Sequence, residues 1–301
     1  MRRLWEDQRL IPYRVQMADM VFLFAVLSGI AGSYLVSYTG IARDHYQLGI
    51  LFSELVYFLP VGIFFGWEKK KGICPSVKKS IRLCRIKPVT VVLSVLFSIS
   101  IYPVVQLVNM LSLIWVKNKI NAAITASVQE LPVWMGLFVF ALVPAVTEEV
   151  IYRGFFYQSY RELGRKKGVV ASALIFGMMH LNFNQFLYAF FMGTVFALLM
   201  EITDSIWPCM LTHFMINGSS VILSTKNLSL PTGRLALLVV AGTVISILLL
   251  FLMAKQENFL EKIQKEEKKK KRETSLKLPP GPYFLAAGSL CIFLMVLGEI
   301  S

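Results

Sequence analysis

The chain is a succession of apolar stretches, most of them about as long as a lipid bilayer is thick. Crossing about 30 Å of hydrocarbon takes about 20 helical residues. Stretches of that order fall at Met17–Tyr38, Leu48–Trp67, Val89–Val116, Leu131–Tyr157, Ile206–Ser224, Leu235–Ala254 and Tyr283–Ile300. Two shorter ones, Gly168–Leu181 and Phe186–Ile202, meet in a turn around Asn182 and Asn184. The expected fold is therefore an all-α polytopic transmembrane helical bundle of about eight to nine spans. It is read as a single integral membrane domain over residues 1–301. Composition agrees: 56% of residues are hydrophobic, against about 45–50% in soluble domains.

The net charge of +13 raises the possibility of a nucleic-acid partner, but the placement of the charge argues for topology instead. With the N-terminus inside and the spans alternating, 25 of the 31 Lys and Arg residues fall on the cytoplasmic side. Five fall outside (Arg43, Lys117, Lys119, Lys226, Arg234), and Arg153 lies within a span. That asymmetry satisfies the positive-inside rule. Residues 68–87 and 255–282 read as basic cytoplasmic loops, solvated linkers with a capacity for anionic headgroups. The first span reads as a retained helix that also directs insertion. Cys74 and Cys84 fall in a cytoplasmic loop and Cys209 and Cys291 in spans, so no disulfide framework and no thiolate metal site is expected.

Six polar side chains interrupt the apolar spans: Glu148, Glu149, Arg153, His180, His213 and Asn217. Ionisable groups at bilayer depth cost about 2.5–3.5 kcal/mol each on insertion scales, and they usually mark function. At about 100° per residue, Glu149 and Arg153 share a helix face and form an ion pair, whereas Glu148 points about 140° away from Arg153. Glu148 is thus left free to act as a general base. Pro144 cannot donate to the carbonyl of Phe140, which predicts a kink just before the acids. Phe176 and His180 are one turn apart, as are His213 and Asn217, the latter on a helix whose start is signalled by Asp204 or Ser205 followed by Pro208. Rises of 1.5 Å per residue put Glu148, His180 and His213 about 12–18 Å from the cytoplasmic edge, in one layer buried within the membrane. Glu54, an isolated acid in the second span, reads as an interhelical hydrogen-bonding group without a catalytic role.

Glu148-Glu149-Val150-Ile151-Tyr152-Arg153, Phe176 with His180, and His213 with Asn217 give the ordered patterns Glu-Glu-x-x-x-Arg, Phe-x-x-x-His and His-x-x-x-Asn. Residues Leu131–Ser224, read as the catalytic core helices, thereby resemble the family of CAAX proteases and bacteriocin-processing enzymes. These are intramembrane glutamic endopeptidases that include the prenyl-protein endopeptidase called Ras-converting enzyme. The resemblance implies an endopeptidase in which Glu148 activates water with help from His180, and His213 and Asn217 hold the oxyanion. Glu149, Arg153 and Phe176 would be supporting residues. No cofactor and no metal is implied.

Two other readings stand beside it. A zinc protease could use two histidines and a carboxylate, although no His-Glu-x-x-His is present and the ligands would come from three helices. A non-catalytic scaffold, an immunity factor or a proton pathway could use the same polar layer, although no internal repeat is visible. The expected partners are the bilayer and a peptide or protein substrate at the membrane, such as a prenylated C-terminus or a leader peptide, reached through a cavity opening to the cytoplasm. The compact chain and short loops point to a bacterial plasma membrane. Asn227-Leu228-Ser229 is a glycan-acceptor pattern on the outer side, relevant only in a secretory pathway.

Overall fold

The computed structural model describes residues 11–41, 45–71, 76–115, 119–226, 232–270 and 279–300. The acceptor pattern at Asn227, together with Cys74, lies outside the described residues. Among those residues every regular element is helical: α1 (Ile11–Thr39), α2 (Tyr46–Lys70), α3 (Val77–Ser80), α4 (Pro88–Trp115), α5 (Lys119–Glu130), α6 (Val133–Arg161), α7 (Arg165–Met178), α8 (Phe183–Thr203), α9 (Trp207–Thr225), α10 (Thr232–Gln256), α11 (Phe259–Lys270) and α12 (Pro282–Ile300). Seven of them, α1, α2, α4, α6, α8, α10 and α12, are long and apolar enough to cross a membrane.

The helical class is as expected, and the difference in span count has a physical cause. Helix α7 has 14 residues and rises about 21 Å, too short for a crossing. It turns back through His180 and Asn182 into α8, making a hairpin whose tip stays inside the bundle. Helix α9 has 19 residues, but its inner face is taken by polar groups that lower its hydropathy.

Helix α6 is the centre of the bundle, contacted by α2, α7, α8 and α9, while α4 pairs with α10 and α1 with α2 and α12. Around its lower half, Tyr152, Phe155 and Phe156 pack with Phe22, Phe64 and Phe65 in one buried aromatic cluster. The α7–α8 hairpin is held tight by small residues. A Cβ on Gly193 would fall 2.9 Å from the Cα of Ala173, so the two backbones meet at a distance only glycine allows. On the outside, Leu237, Val240, Val244, Ile247 and Phe251 of α10 are each more than 60% exposed, a continuous apolar face that suits lipid rather than water.

Both basic loops carry structure. In the first, the Ile206 amide donates to the Arg82 carbonyl at 3.0 Å, Ser205 donates to the Cys84 carbonyl at 2.8 Å, and Arg82 pairs with Asp204 at 3.3 Å. Asp204 is the left-handed residue that closes α8 (φ 55°). Pro208 then sits in the first turn of α9, where its missing N–H costs nothing. In the second loop, α11 continues from α10, and the Arg165 guanidinium lies 5.8 Å from the Phe259 ring centre.

Candidate active site

The local conformation of α6 sets the position of its two acids. Its α-helical course is broken by π-helical turns at Phe138–Leu142 and Val150–Tyr157, immediately before and after the segment that ends in Glu148 and Glu149. Such turns concentrate at functional sites because they redirect side chains and free backbone groups. The kink expected from Pro144 takes the form of the first π turn. The Phe140 carbonyl that Pro144 cannot serve is instead bonded by Asn217, whose Nδ2 donates to it at 3.2 Å.

Glu149 and Arg153 are both fully buried and paired at 3.1 Å. Arg153 also donates from Nη2 to the Gly193 carbonyl at 3.1 Å, and its guanidinium lies 4.6 Å from the Phe176 ring centre and 4.9 Å from that of Phe196. A charge so placed is matched by a carboxylate, a carbonyl dipole and two π faces, which together offset its desolvation. Glu148 points the other way, and its side chain keeps 18% of its exposure, facing a cavity of about 790 Å³.

His180, His213, Asn217, Phe176 and Phe196 line the same cavity. His213 bridges the two acids. Its Nδ1 lies 2.8 Å from Glu149 Oε1, and its Nε2 lies 3.7 Å from Glu148 Oε2. Glu149 Oε1 also accepts from Arg153, so His213 Nδ1–H is taken as the donor to it and Nε2 is the nitrogen turned toward Glu148. Phe196 stacks on the imidazole with ring centres 5.0 Å apart, fixing its plane. His180 donates from Nδ1 to the carbonyl of Phe176 at 2.8 Å, since a carbonyl can only accept, and this leaves Nε2 as a proton acceptor. The ring packs edge-on against Phe176, 5.1 Å between centres. The next residue, Leu181, adopts φ 50°. That conformation is costly for a non-glycine residue and ends α7 abruptly, so that Asn182 can cap α8 by accepting from the Gln185 amide at 3.1 Å.

All seven residues singled out in the sequence thus meet: Glu148, Phe176, His180, His213 and Asn217 line the cavity, and Glu149 and Arg153 stand against them. Two features were not legible. Glu54 of α2 does hydrogen-bond across helices, with the hydroxyl of Thr147, but its carboxyl also lies against that of Glu148. Glu54 therefore adjoins the acid assigned to the water. An isolated acid in an apolar span was the available signal, and sequence alone did not show where it pointed. The second is the direction of the cavity. From Glu148 and His213 its lining continues through Tyr102, Gln106, Gln129 and Ser224, toward the end of the bundle opposite the basic loops. The expected opening on the basic side is not observed. There the space beneath the site is filled by Leu199, Met200, Ile206 and Cys209, all buried.

Among the described residues no three His, Cys, Asp or Glu side chains are grouped to hold a metal ion. No curated protein and no solved structure matches the chain. A family match covers residues 130–219, the segment that contributes Glu148, Glu149, Arg153, Phe176, His180, His213 and Asn217. In this integral membrane protein that segment is similar to the family described as Rce1-like, the type II CAAX prenyl endopeptidases.

Proposed function

We propose that the protein is an intramembrane endopeptidase that hydrolyses a peptide bond with a glutamate-activated water. The observation that carries this reading is the convergence of Glu148, His180, His213 and Asn217 on one buried cavity. In the reaction, Glu148 takes a proton from water as the water oxygen adds to the scissile carbonyl carbon. The proton acceptor at His180 Nε2 steadies the water beside it. The resulting oxyanion is met by the second N–H of Asn217 and by His213 when its Nε2 carries a proton. As the C–N bond breaks, the proton held by Glu148 passes to the leaving amine. Arg153 pairs with Glu149, and Glu149 in turn fixes His213, so these two act on the chemistry through orientation.

The test is cleavage of quenched peptides, prenylated and unprenylated, by the purified full chain in detergent, with and without chelator. Chelator-indifferent turnover supports the glutamate mechanism. Turnover abolished by chelator and restored by zinc would replace it with the metal reading, and a folded chain that cleaves nothing would favour a non-catalytic role.

Asn217→Ala is expected to lower kcat about 100- to 1000-fold, the loss typical of one oxyanion donor, with KM little changed. Pro144→Ala restores an N–H that competes with Asn217 for the Phe140 carbonyl. It is expected to lower kcat by less than Asn217→Ala does while thermal stability is kept or raised. Unaltered turnover in both variants, measured beside wild type, would remove Asn217 from the oxyanion site.

A further inference from the structure

We infer that the substrate reaches Glu148 from the extracytoplasmic face, as an uncharged extended stretch of polypeptide. The inference rests on the peptidase reading of the site and adds the side of entry and the chemistry of what enters. The basic residues of the first loop, of the α6–α7 turn and of the α10–α11 connection all lie at one end of the bundle. By the positive-inside rule that end is cytoplasmic. The cavity holding Glu148 runs the other way. It leaves mid-bundle at His213, passes Tyr102 and Ser220, and ends at Gln129 of α5, Ser224 of α9 and Leu235 of α10, where these helices meet the loops opposite the basic ones.

Three observations close the cytoplasmic route. The α8–α9 turn is stitched to the first basic loop by the Ile206–Arg82 and Ser205–Cys84 hydrogen bonds and the Arg82–Asp204 pair. Cys209 donates to the Phe196 carbonyl at 3.1 Å, joining α9 to α8 directly under the histidines. Below them Glu201 is buried and bound by Tyr157, Arg161 and Arg165, so α6, α7 and α8 are bolted together at that end.

The chemistry of the open end selects the occupant. Apart from Glu148 and the two histidines at the site itself, the described lining contains no charged or titrating acid or base other than Tyr102 and Tyr188, so a charged side chain held along the approach would lose hydration without gaining a counter-ion there. Backbone amides fare better, because Gln106, Asn109 and Gln129 line the approach and primary amides can pair with peptide N–H and C=O groups. A cavity of about 790 Å³ lies within the range of enclosed ligand sites, about 300–1,000 Å³.

The experiment uses the full chain in membrane vesicles of both orientations. Two single-cysteine forms are compared, each with the remaining cysteines replaced by serine. One keeps Cys84, which is exposed at the basic end; the other carries Ser220→Cys inside the cavity. A membrane-impermeant maleimide is expected to label Ser220→Cys at least tenfold faster in right-side-out vesicles, and Cys84 at least tenfold faster in inside-out ones. Labelling of both from the same side, or of Ser220→Cys from neither, overturns the side of entry. A mixture of ten-residue peptides of Ala, Val, Leu, Ser and Thr, added to right-side-out vesicles, is expected to slow labelling of Ser220→Cys at least threefold. The same mixture with two Lys or two Asp per peptide is expected to slow it less. Equal protection by both, or none by either, overturns the uncharged occupant. Neither readout requires turnover, so a chain without peptidase activity would still report its entrance, and the two readings fail separately.

Discussion

Glu148→Gln is expected to reduce peptide hydrolysis about 100- to 10,000-fold, the usual contribution of a positioned general base, with almost no change in thermal stability. The two effects separate because of where the side chain sits. Its carboxyl is turned into the cavity away from Arg153, so the amide removes the proton acceptor without breaking an ion pair. Glutamine has the same shape and can still hydrogen-bond the Glu54 carboxyl beside it. The measurement is kcat on a cleavable peptide together with the unfolding midpoint in detergent. Activity retained within a few-fold of wild type would assign the water to another group. Glu149→Gln makes the contrast: it breaks the buried pair with Arg153 and loosens His213, so activity and stability should fall together.

The second large effect belongs to stability. Arg153→Ala leaves Glu149 as a buried carboxylate with no cation. It also leaves the Gly193 carbonyl without its donor and two aromatic faces without their partner. Breaking a buried pair from one side typically costs about 3–5 kcal/mol, a large share of the stability of most proteins. The expected result is a chain that unfolds at markedly lower temperature and yields little folded protein from the membrane. Arg153→Lys should rescue little of this, because a lysine cannot reach the carboxylate and the carbonyl with a rigid fork or stack its charge between Phe176 and Phe196. An unfolding midpoint unchanged in Arg153→Ala would show that Glu149 finds another partner.

The Glu149–Arg153 pair and the free Glu148 were both readable from spacing, since residues four apart on a helix share a face. The pairing survives even though Arg153 lies in a π-helical turn. Pro144 announced an unserved Phe140 carbonyl, because the missing donor is a property of the residue itself. That Asn217 would serve it was not readable, for the two lie 77 positions apart. The same limit hid the bond between His213 and Glu149, which sequence had cast chiefly as a pair-mate of Arg153. It also hid the contact of Glu54 with Glu148. Helix α7 was misjudged as a crossing because periodicity measures apolarity, and a buried half-length helix is as apolar as a spanning one.

By itself the sequence determined that the chain is helical and lies in a membrane, which residues are polar at depth, and which acid pairs with Arg153. Each of these follows from local properties, hydropathy over about 20 residues and the 3.6-residue turn. Tertiary structure alone decided that α6, α7 and α9 bring Glu148, His180 and His213 to a single cavity, that Glu54 of α2 lies against Glu148, and that this cavity opens away from the basic loops. Those outcomes depend on how helices far apart in the chain cross and which small residues let them approach. No window of sequence contains the geometry between two helices.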